Sequence, residues 1–198
     1  MKRLFITYCV LILAPALLWG QAKTNLENYF QLIDNSVDKV SQTLPNEASV
    51  VLTVSGPASL ELLKSKVFQS FSKHGYKVTS ETTPQTYKAA YTFHQTNVEY
   101  LNAEKESFFG NIVAERLMNL KGNILLTTPE NQVKAFEVDE SLKDTVSVDE
   151  IKSLEDSSVP FTQGKMPETP FFSNLLEPVL VVGTLITTII LLFTVRGK

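Results

Sequence analysis

The sequence predicts an α+β domain with one mainly antiparallel sheet and helices on one face of it, followed by a single C-terminal transmembrane helix. Helical and strand-like spacings of apolar residues alternate in the first half of the chain and then give way to a run of strands, the order of an α+β layer. An uncharged run near the C-terminus has the composition of a membrane helix. The chain has 198 residues, of which 43% are hydrophobic, and this size suits one domain.

Charge and cysteine content argue against several classes of function. The formal net charge is −3 at pH 7, and basic residues lie at both chain ends, so the region between them is more acidic still. An acidic surface argues against a nucleic-acid partner, because phosphate binding requires lysine and arginine. The one cysteine, Cys9, is not preceded by the small residues of a lipoprotein signal. Cys9 lies in the predicted leader, so the mature chain would hold no cysteine, and we expect no disulfide and no cysteine metal site. No cofactor is expected either.

Residues 1–22 have the features of a secretory signal peptide. Two basic residues at positions 2 and 3 precede the uncharged apolar run Leu4–Leu18, and small residues stand at Gly20 and Ala22. Cleavage is expected after Ala22, with Gly20 as the alternative. An uncleaved anchor helix fits less well because a proline interrupts the short run. The pattern predicts that residues 23–156 form an extracytoplasmic domain.

The first predicted element is a helix that begins at a capping box. Thr24 and Glu27 have the spacing at which each side chain satisfies a free backbone amide of the other. Apolar residues then recur at intervals of three and four as far as Pro45, which indicates one apolar stripe on a helix. The favoured interpretation is packing on the same domain, and the alternative is a partner-binding stripe. The stripe residues are Leu26, Phe30, Ile33, Val37, Val40 and Leu44.

The next segments alternate between strand and helix. Ser49–Val54 is β-branched and apolar, which is typical of a buried strand. An amphipathic helix is predicted over 60–74, followed by a short strand over Tyr76–Ser80. Alternating apolar and polar residues then predict two strands, Tyr87–His94 and Asn97–Ala103.

Asn111–Thr128 fits two patterns. A helical spacing of apolar residues would have to end at Gly122, whereas an alternation of period two runs straight through that glycine. We therefore predict one long strand with a bulge at Gly122, which turns back into the strand Val133–Val138 as a hairpin. Arg116 lies within this stretch, and it is expected to reach solvent at a sheet edge, since a core-facing arginine would need a buried partner.

The segment from Glu137 to Asp156 is strongly acidic, with eight acidic and two basic residues. It is interpreted as a solvated face. The alternative of divalent-cation binding lacks the spacing of a calcium-binding loop. Within the segment, Ser147–Glu150 has the spacing of a second capping box before a short helix that ends near Leu154. Residues 157–173 contain several prolines and are predicted to be a semi-stiff tether.

The C-terminal prediction is a membrane anchor over 174–195 and a basic tail over 196–198. The 17 uncharged residues from Val179 to Val195 would rise about 25 Å as a helix. Basic residues follow, which places the tail in the cytoplasm by the positive-inside rule. The chain would then be a single-pass protein of the cytoplasmic (inner) membrane, with its C-terminal helix in contact with membrane lipid and its N-terminal domain outside. The predicted anchor residues are Pro178, Val179, Gly183, Thr187, Val195, Arg196 and Lys198.

The anchor also carries small residues at helical spacing. Gly183 and Thr187, with Thr184 and Thr188 beside them, could seat a neighbouring transmembrane helix. Equally, the threonine hydroxyls could bond back to their own helix. A buried core helix is the alternative to a membrane span, but a soluble chain rarely ends on a run with no polar face.

No motif of an enzyme active site is found in the sequence. The two histidines, His74 and His94, have no ligand partner nearby in the sequence, and phosphate-binding glycine loops and nucleophile elbows are absent. We therefore predict that the chain is not an enzyme. A catalytic or small-ligand site that forms only in the fold is the alternative.

The order of elements from Ala48 to Val138 resembles small bacterial periplasmic α/β domains. The strand Ser49–Val54, the helix over 60–74, the strand Tyr76–Ser80 and the meander that follows are similar to domains of the TolB amino-terminal type. FlgO-like lipoproteins and lipoprotein activators of penicillin-binding proteins are similar as well. The resemblance is one of topology, and it implies a docking role without assigning functional residues. The expected function is a non-catalytic, membrane-tethered periplasmic module that binds protein partners in an envelope assembly.

Overall fold

The computed structural model describes residues 22–107, 110–167 and 173–195, so the predicted signal peptide lies almost entirely outside the described residues. The helices are α1 Asn25–Ser41, α2 Glu61–Lys73, α3 Ile151–Leu154 and α4 Ser173–Val195. The strands are β1 Ser49–Ser55, β2 Lys77–Val78, β3 Tyr87–Lys105, β4 Ile112–Thr127 and β5 Val133–Ser147. Short 3-10 turns lie at Ala58–Leu60, Val148–Glu150 and Pro160–Thr162.

The described strands form one sheet in the order β2-β1-β3-β4-β5. β1 runs parallel to both of its neighbours, whereas β3, β4 and β5 form an antiparallel meander. Along β4 the even-numbered residues from Ala114 to Leu126 are buried, and they share the core with apolar residues of α1 and α2. This α+β arrangement, with one mainly antiparallel sheet, agrees with the fold expected from the alternating apolar pattern.

The capping box at the start of α1 is confirmed. The Thr24 hydroxyl accepts a hydrogen bond from the Glu27 amide at 3.2 Å, and the Thr24 amide donates to the Glu27 carboxylate at 2.8 Å. Two amides that the first helical turn leaves without partners are thereby satisfied. The start of α1 is fixed by its own sequence, and this position matters for the polar cluster described below.

The two strands expected between residues 87 and 103 are one strand of 19 residues. Its register with β4 runs from Phe93 opposite Gly122 to Gln95 opposite Lys121, so His94 is the extra residue of a bulge. The predicted bulge at Gly122 is therefore wrong, since the bulge lies on the partner strand. Gly122 is required there for a different reason: an added Cβ would lie 2.4 Å from the Thr92 carbonyl oxygen.

β5 extends to Ser147, well past the Val138 at which it was expected to end. Val138 and Val146 are buried on the core side, and the odd-numbered residues between them are exposed. Four of the eight acidic residues of the run lie on β5, and only Glu137 and Asp139 are on its exposed side. The second capping box is wrong: the Ser147 side chain makes no capping bond, and a 3-10 turn precedes α3. The amphipathic alternation of β5 overrides the capping spacing.

The prediction of a C-terminal transmembrane helix is wrong. Within the described ranges, no helix combines the length and the apolar character that crossing a membrane requires. The single-pass inner-membrane location, its orientation and the lipid contact through this helix were deduced from that span, and they fall with it.

His74 joins the end of α2 to α1. Its Nδ1 donates to the Ser70 carbonyl at 2.7 Å, and its Nε2 lies 2.5 Å from an Asp38 carboxylate oxygen. Partial burial lowers the pKa of the imidazole, but the Ser70 carbonyl and the Asp38 carboxylate outweigh that effect, and the pKa is raised above its ordinary value of 6.5. The charged imidazolium, which donates from both nitrogens, is thus the form that the fold favours.

This histidine makes stability depend on pH. Because the folded pKa lies above the unfolded value of 6.5, the contribution is fully present below pH 6.5 and is lost as pH rises through the folded pKa. The wild-type chain should therefore exceed the His74→Gln variant in free energy of unfolding below pH 6.5, with a difference that shrinks at higher pH. Urea unfolding across this range measures the difference, and His94→Gln, in the exposed bulge, is the control. A pH-independent difference would contradict the assignment.

Candidate interaction site

The outer edge of β3 extends beyond the strand that pairs with it. β1 pairs with β3 only as far as Thr92. In the described part of the chain, the outer edge from residue 93 to residue 105 is paired only at Glu99, which forms an isolated parallel bridge with Lys165. Residues 159–167 run along this edge, and we call them the strap. The site therefore consists of a long free strand edge and a short segment of the same chain lying on it.

The strap is packed at its beginning and open at its end. Val159 and Thr162 are buried, and the Phe161 ring packs edge-on against Tyr29 with centroids 5.5 Å apart. Residues 163–167 are exposed or half-exposed. The segment predicted to be a tether thus lies against the domain as far as residue 167, and residues 168–172 are outside the described part of the chain.

Gly164 lies close against β3. Its amide donates to the Glu155 carboxylate at 2.8 Å. A Cβ added to Gly164 would lie 2.8 Å from the Tyr100 ring and 2.9 Å from the Val98 carbonyl oxygen. Both neighbours are fixed, since one is strand backbone and the other is a ring that is only 3% exposed. Only glycine fits this position without a shift of the strand or the strap.

A buried arginine lies at the centre of the polar cluster beneath the strap. Arg116 is 0% exposed, and its Nε and Nη2 donate to the two carboxylate oxygens of Asp144 at 2.8 and 2.5 Å. Its Nη1 donates to the Lys23 carbonyl and to the Asn25 side-chain oxygen, each at 2.8 Å. The charge is therefore buried in a fork geometry with further acceptors, which is the arrangement that a desolvated arginine requires.

The expectation that Arg116 reaches solvent at a sheet edge is wrong. β4 lies between β3 and β5, so it has no free edge. Arg116 is directly opposite Asp144 in the β4–β5 register, on the face that packs against α1. The same period-two pattern that predicted the strand places position 116 on the buried side.

Asn25 links this arginine to the strap. Its side-chain oxygen accepts from Arg116, while its Nδ2 donates to the Tyr100 hydroxyl and to the Thr162 carbonyl, each at 2.7 Å. Burial raises the pKa of Tyr100 to about 12, so its hydroxyl stays neutral. The amide is thus fully engaged, and its orientation is set by the arginine because only the oxygen can accept.

A depression of about 350 Å³ opens where the strap leaves β3. It is lined by residues 100–103 of the strand and 165–167 of the strap, and Leu101 and Met166 are 39% and 47% exposed. Asn102 has a φ of 51° and lies in a second bulge of β3, between the paired residues Leu101 and Glu104. Within the described ranges no strand pairs with the outer edge of β3 at this depression, and two exposed apolar side chains adjoin it.

A second depression of about 370 Å³ is lined by Thr24, Leu26 and residues 153–157. Two carboxylates face it, but both are already engaged. Glu155 accepts from the Gly164 amide, and Asp156 accepts from the amide and hydroxyl of Ser158 at 2.9 and 2.6 Å. These acids hold the local backbone.

The predicted stripe of α1 lies largely in the domain's own core. Ile33, Val37, Val40 and Leu44 are buried, whereas Leu26 and Phe30 are half-buried. The buried face is broader than the stripe, since Tyr29 and Leu32 are also buried, together with polar Asn25, Asn28 and Ser36. The four buried stripe residues are not accessible to a partner in the folded domain.

The small residues of α4 bond within their own helix. The hydroxyls of Thr187 and Thr188 donate to the carbonyls of Gly183 and Thr184, each at 2.8 Å. Side chains from Val179 to residue 194 are exposed in the described structure. Of the other predicted anchor residues, Pro178 and Val195 belong to the helix, but their side chains, together with Arg196 and Lys198, lie outside the described residues.

The two histidines have different surroundings. His74 links α2 to α1 through Asp38, whereas His94 is exposed in the bulge of β3. Across residues 22–107, 110–167 and 173–195, no group of three or more histidine, cysteine or acidic side chains is placed to hold a metal ion. Sequence reasoning missed Asn25, Tyr100 and Gly164. Only Gly164 carries a signal in the sequence: it is the sole glycine of a proline-containing segment, at a position where no tight turn was otherwise required.

Comparison with known proteins shows no family for this chain. No protein-family model and no curated protein matches the chain. The rare lipoprotein B from Shewanella oneidensis is similar at 11% identity and a TM-score of 0.31, over 74% of this chain and 92% of that one. A minor lipoprotein from Acinetobacter baumannii also gives 11% and 0.31, over 59% of this chain and 82% of that one.

A neuraminyllactose-binding hemagglutinin homolog from Helicobacter pylori, described as putative, gives 13% identity and a TM-score of 0.30, over 59% of this chain and 74% of that one. The resemblance to bacterial lipoproteins is weak and identifies no specific family. It does not single out any of the periplasmic domain types to which the order of elements was compared.

Removing one partner of the Arg116–Asp144 pair should destabilise the fold more than removing both. Asp144→Leu leaves a fully buried guanidinium without its carboxylate and should cost about 3–5 kcal/mol in free energy of unfolding. Adding Arg116→Met should recover most of that loss, because the double variant buries no charge. Chemical denaturation measures both values. Asp139→Leu is the matched control on the same strand, since Asp139 lies 3.7 Å from Lys121 in an exposed pair that should contribute about 0–1 kcal/mol.

A second prediction concerns the seating of the strap. Gly164→Ala forces a Cβ against Tyr100 and the Val98 carbonyl, and it should destabilise the seated strap by about 1–3 kcal/mol. Hydrogen exchange of the amides of residues 163–166 measures this loss. Gly183→Ala is the control, because an added Cβ there meets no described atom within 4 Å. Unchanged exchange in the Gly164 variant would show that the contact is not tight.

Proposed function

We propose that this chain is an exported, non-catalytic protein-binding module of the bacterial envelope, and that its partner binds at the outer edge of β3 beside the strap. The observation that carries the proposal is the outer edge over residues 100–103, with which no strand of the described residues pairs, next to the exposed side chains of Leu101 and Met166. A free strand edge offers backbone donors and acceptors in a row, and adjoining apolar side chains add affinity for a bound segment.

The outer edge of β5 is less suited to binding. β5 lies at the end of the sheet, and its 15 residues include six charged side chains. Charges along an edge strand oppose the addition of another strand. In contrast, residues 100–103 of β3 carry no charge. The difference in charge favours β3 as the edge that receives a partner.

Export is supported by the N-terminal sequence. Residues 1–22 combine a basic start, an uncharged run and small residues before the expected cleavage point. The mature chain would then carry no cysteine, and its fold relies on apolar burial and the Arg116 cluster for stability. The alternative of a small-ligand site or enzyme is less well supported, because the acids of the second depression are engaged in holding the backbone.

The proposal predicts partner contacts that are specific to one position. A photo-crosslinking residue at Leu101 should capture a protein from cells that express the full chain, whereas the same residue at Leu125 should not. Leu125 is the matched control for Leu101, because both residues lie on β strands and their exposed fractions are 40% and 39%. Mass spectrometry identifies the captured protein.

A charged residue at the same two positions tests the binding edge in a second way. Leu101→Asp should abolish co-purification of the captured protein, since a carboxylate at the edge must be desolvated on binding. Leu125→Asp should leave co-purification unchanged. Equal capture from both positions, or equal loss in both variants, would overturn the proposed binding edge.

A further inference from the structure

We infer that the end of the strap, residues 163–167, occupies the place of the partner's own strand, and that the partner binds as an extended segment parallel to β3 with a glycine against Tyr100. This inference rests on the proposed function, because it specifies the chemistry and regulation of the same edge. Residues 163–167 are called the strap end below.

The direction of the bound segment follows from the bridge between Glu99 and Lys165. The two stretches run parallel at that point, so β3 already accepts an extended backbone in this orientation. The bridge uses one residue pair, and the depression over residues 100–103 lies between the strand and residues 165–167 of the strap. A longer parallel strand would continue along the edge and fill the depression that the strap end leaves open.

The glycine requirement follows from the contact at Gly164. Any strand that takes the register of the strap places its corresponding Cα where a Cβ would meet the Tyr100 ring at 2.8 Å and the Val98 carbonyl at 2.9 Å. The ring cannot move aside easily, because its hydroxyl accepts from Asn25 at 2.7 Å. The edge thus selects a segment with glycine at one position, whether that segment belongs to this chain or to the partner.

Release of the strap end costs little burial. All five of its residues are exposed or half-exposed, whereas Val159 and Thr162, just before it, are buried. The Asn25–Thr162 hydrogen bond lies on the buried side of this boundary and stays in place when the strap end leaves. A segment with few apolar contacts opens at low free energy, so a partner strand can exchange with it without unfolding the domain.

The test uses the full chain and a synthetic peptide of residues 163–167, with a matched peptide that has valine in place of Gly164. The strap end of a Gly164→Val chain cannot seat, so this chain should bind the glycine peptide at least about tenfold more tightly than wild type does. The wild-type strap end competes from an effective concentration in the millimolar range. The valine peptide should bind neither chain. Amide shifts of residues 100–103 in NMR spectra measure binding.

A variant in which a disulfide holds the strap end on β3 provides a second test. Replacement of Glu99 and Lys165 by cysteine, with Cys9 changed to serine, allows a disulfide across neighbouring strands, which lie about 4.8 Å apart. The oxidised chain should not bind the peptide, and reduction should restore the wild-type behaviour. Binding of the peptide to the oxidised chain would overturn the inference.

Three further outcomes also overturn it. They are protected amides of the strap end in the Gly164→Val chain, equal binding of the glycine and valine peptides, and no peptide binding although the strap end exchanges freely. Failure of this inference is distinguishable from failure of the proposed function: crosslinks from Leu101 that persist in the oxidised chain would keep the binding edge and reject displacement of the strap.

Discussion

The burial of one charged side chain constrains much of this domain. A guanidinium that is fully removed from water is tolerated only when a carboxylate and further acceptors replace its hydration. Arg116 meets that condition by taking both oxygens of Asp144 and the two acceptors at the start of α1. The requirement joins β4, β5 and α1 at one point, so the helix cannot slide along the sheet without leaving the charge unpaired.

The same constraint reaches the strap through the chemistry of a single amide. An asparagine side chain has one accepting and one donating end, and the arginine can use only the accepting end. The donating end of Asn25 is therefore turned towards Tyr100 and the Thr162 carbonyl. A buried charge on β4 thus determines which way a donor faces at the edge of β3, and the seating of the strap follows from that donor.

The local elements of this fold could be predicted from the sequence, because each depends on neighbouring residues. The Thr24–Glu27 box marks the start of α1, and the alternation through Gly122 identifies β4 as a strand. The bulge was assigned to the wrong strand, since the sequence shows that Gly122 is unusual but not that its neighbour across the sheet has the extra residue. The hydropathy of the C-terminal run indicated a span that the described part of α4 does not provide.

The candidate site could not be predicted in the same way, because its contacts join residues that are distant in sequence. Asn25 and Thr162 are 137 positions apart, and a proline-containing segment reads as a linker unless the surface beneath it is known. What decides the behaviour of the strap is the change from buried to exposed between Thr162 and Gln163. The first part belongs to the cooperative core, whereas the second is held by a glycine contact and an isolated bridge, so the two parts can separate at different free energies.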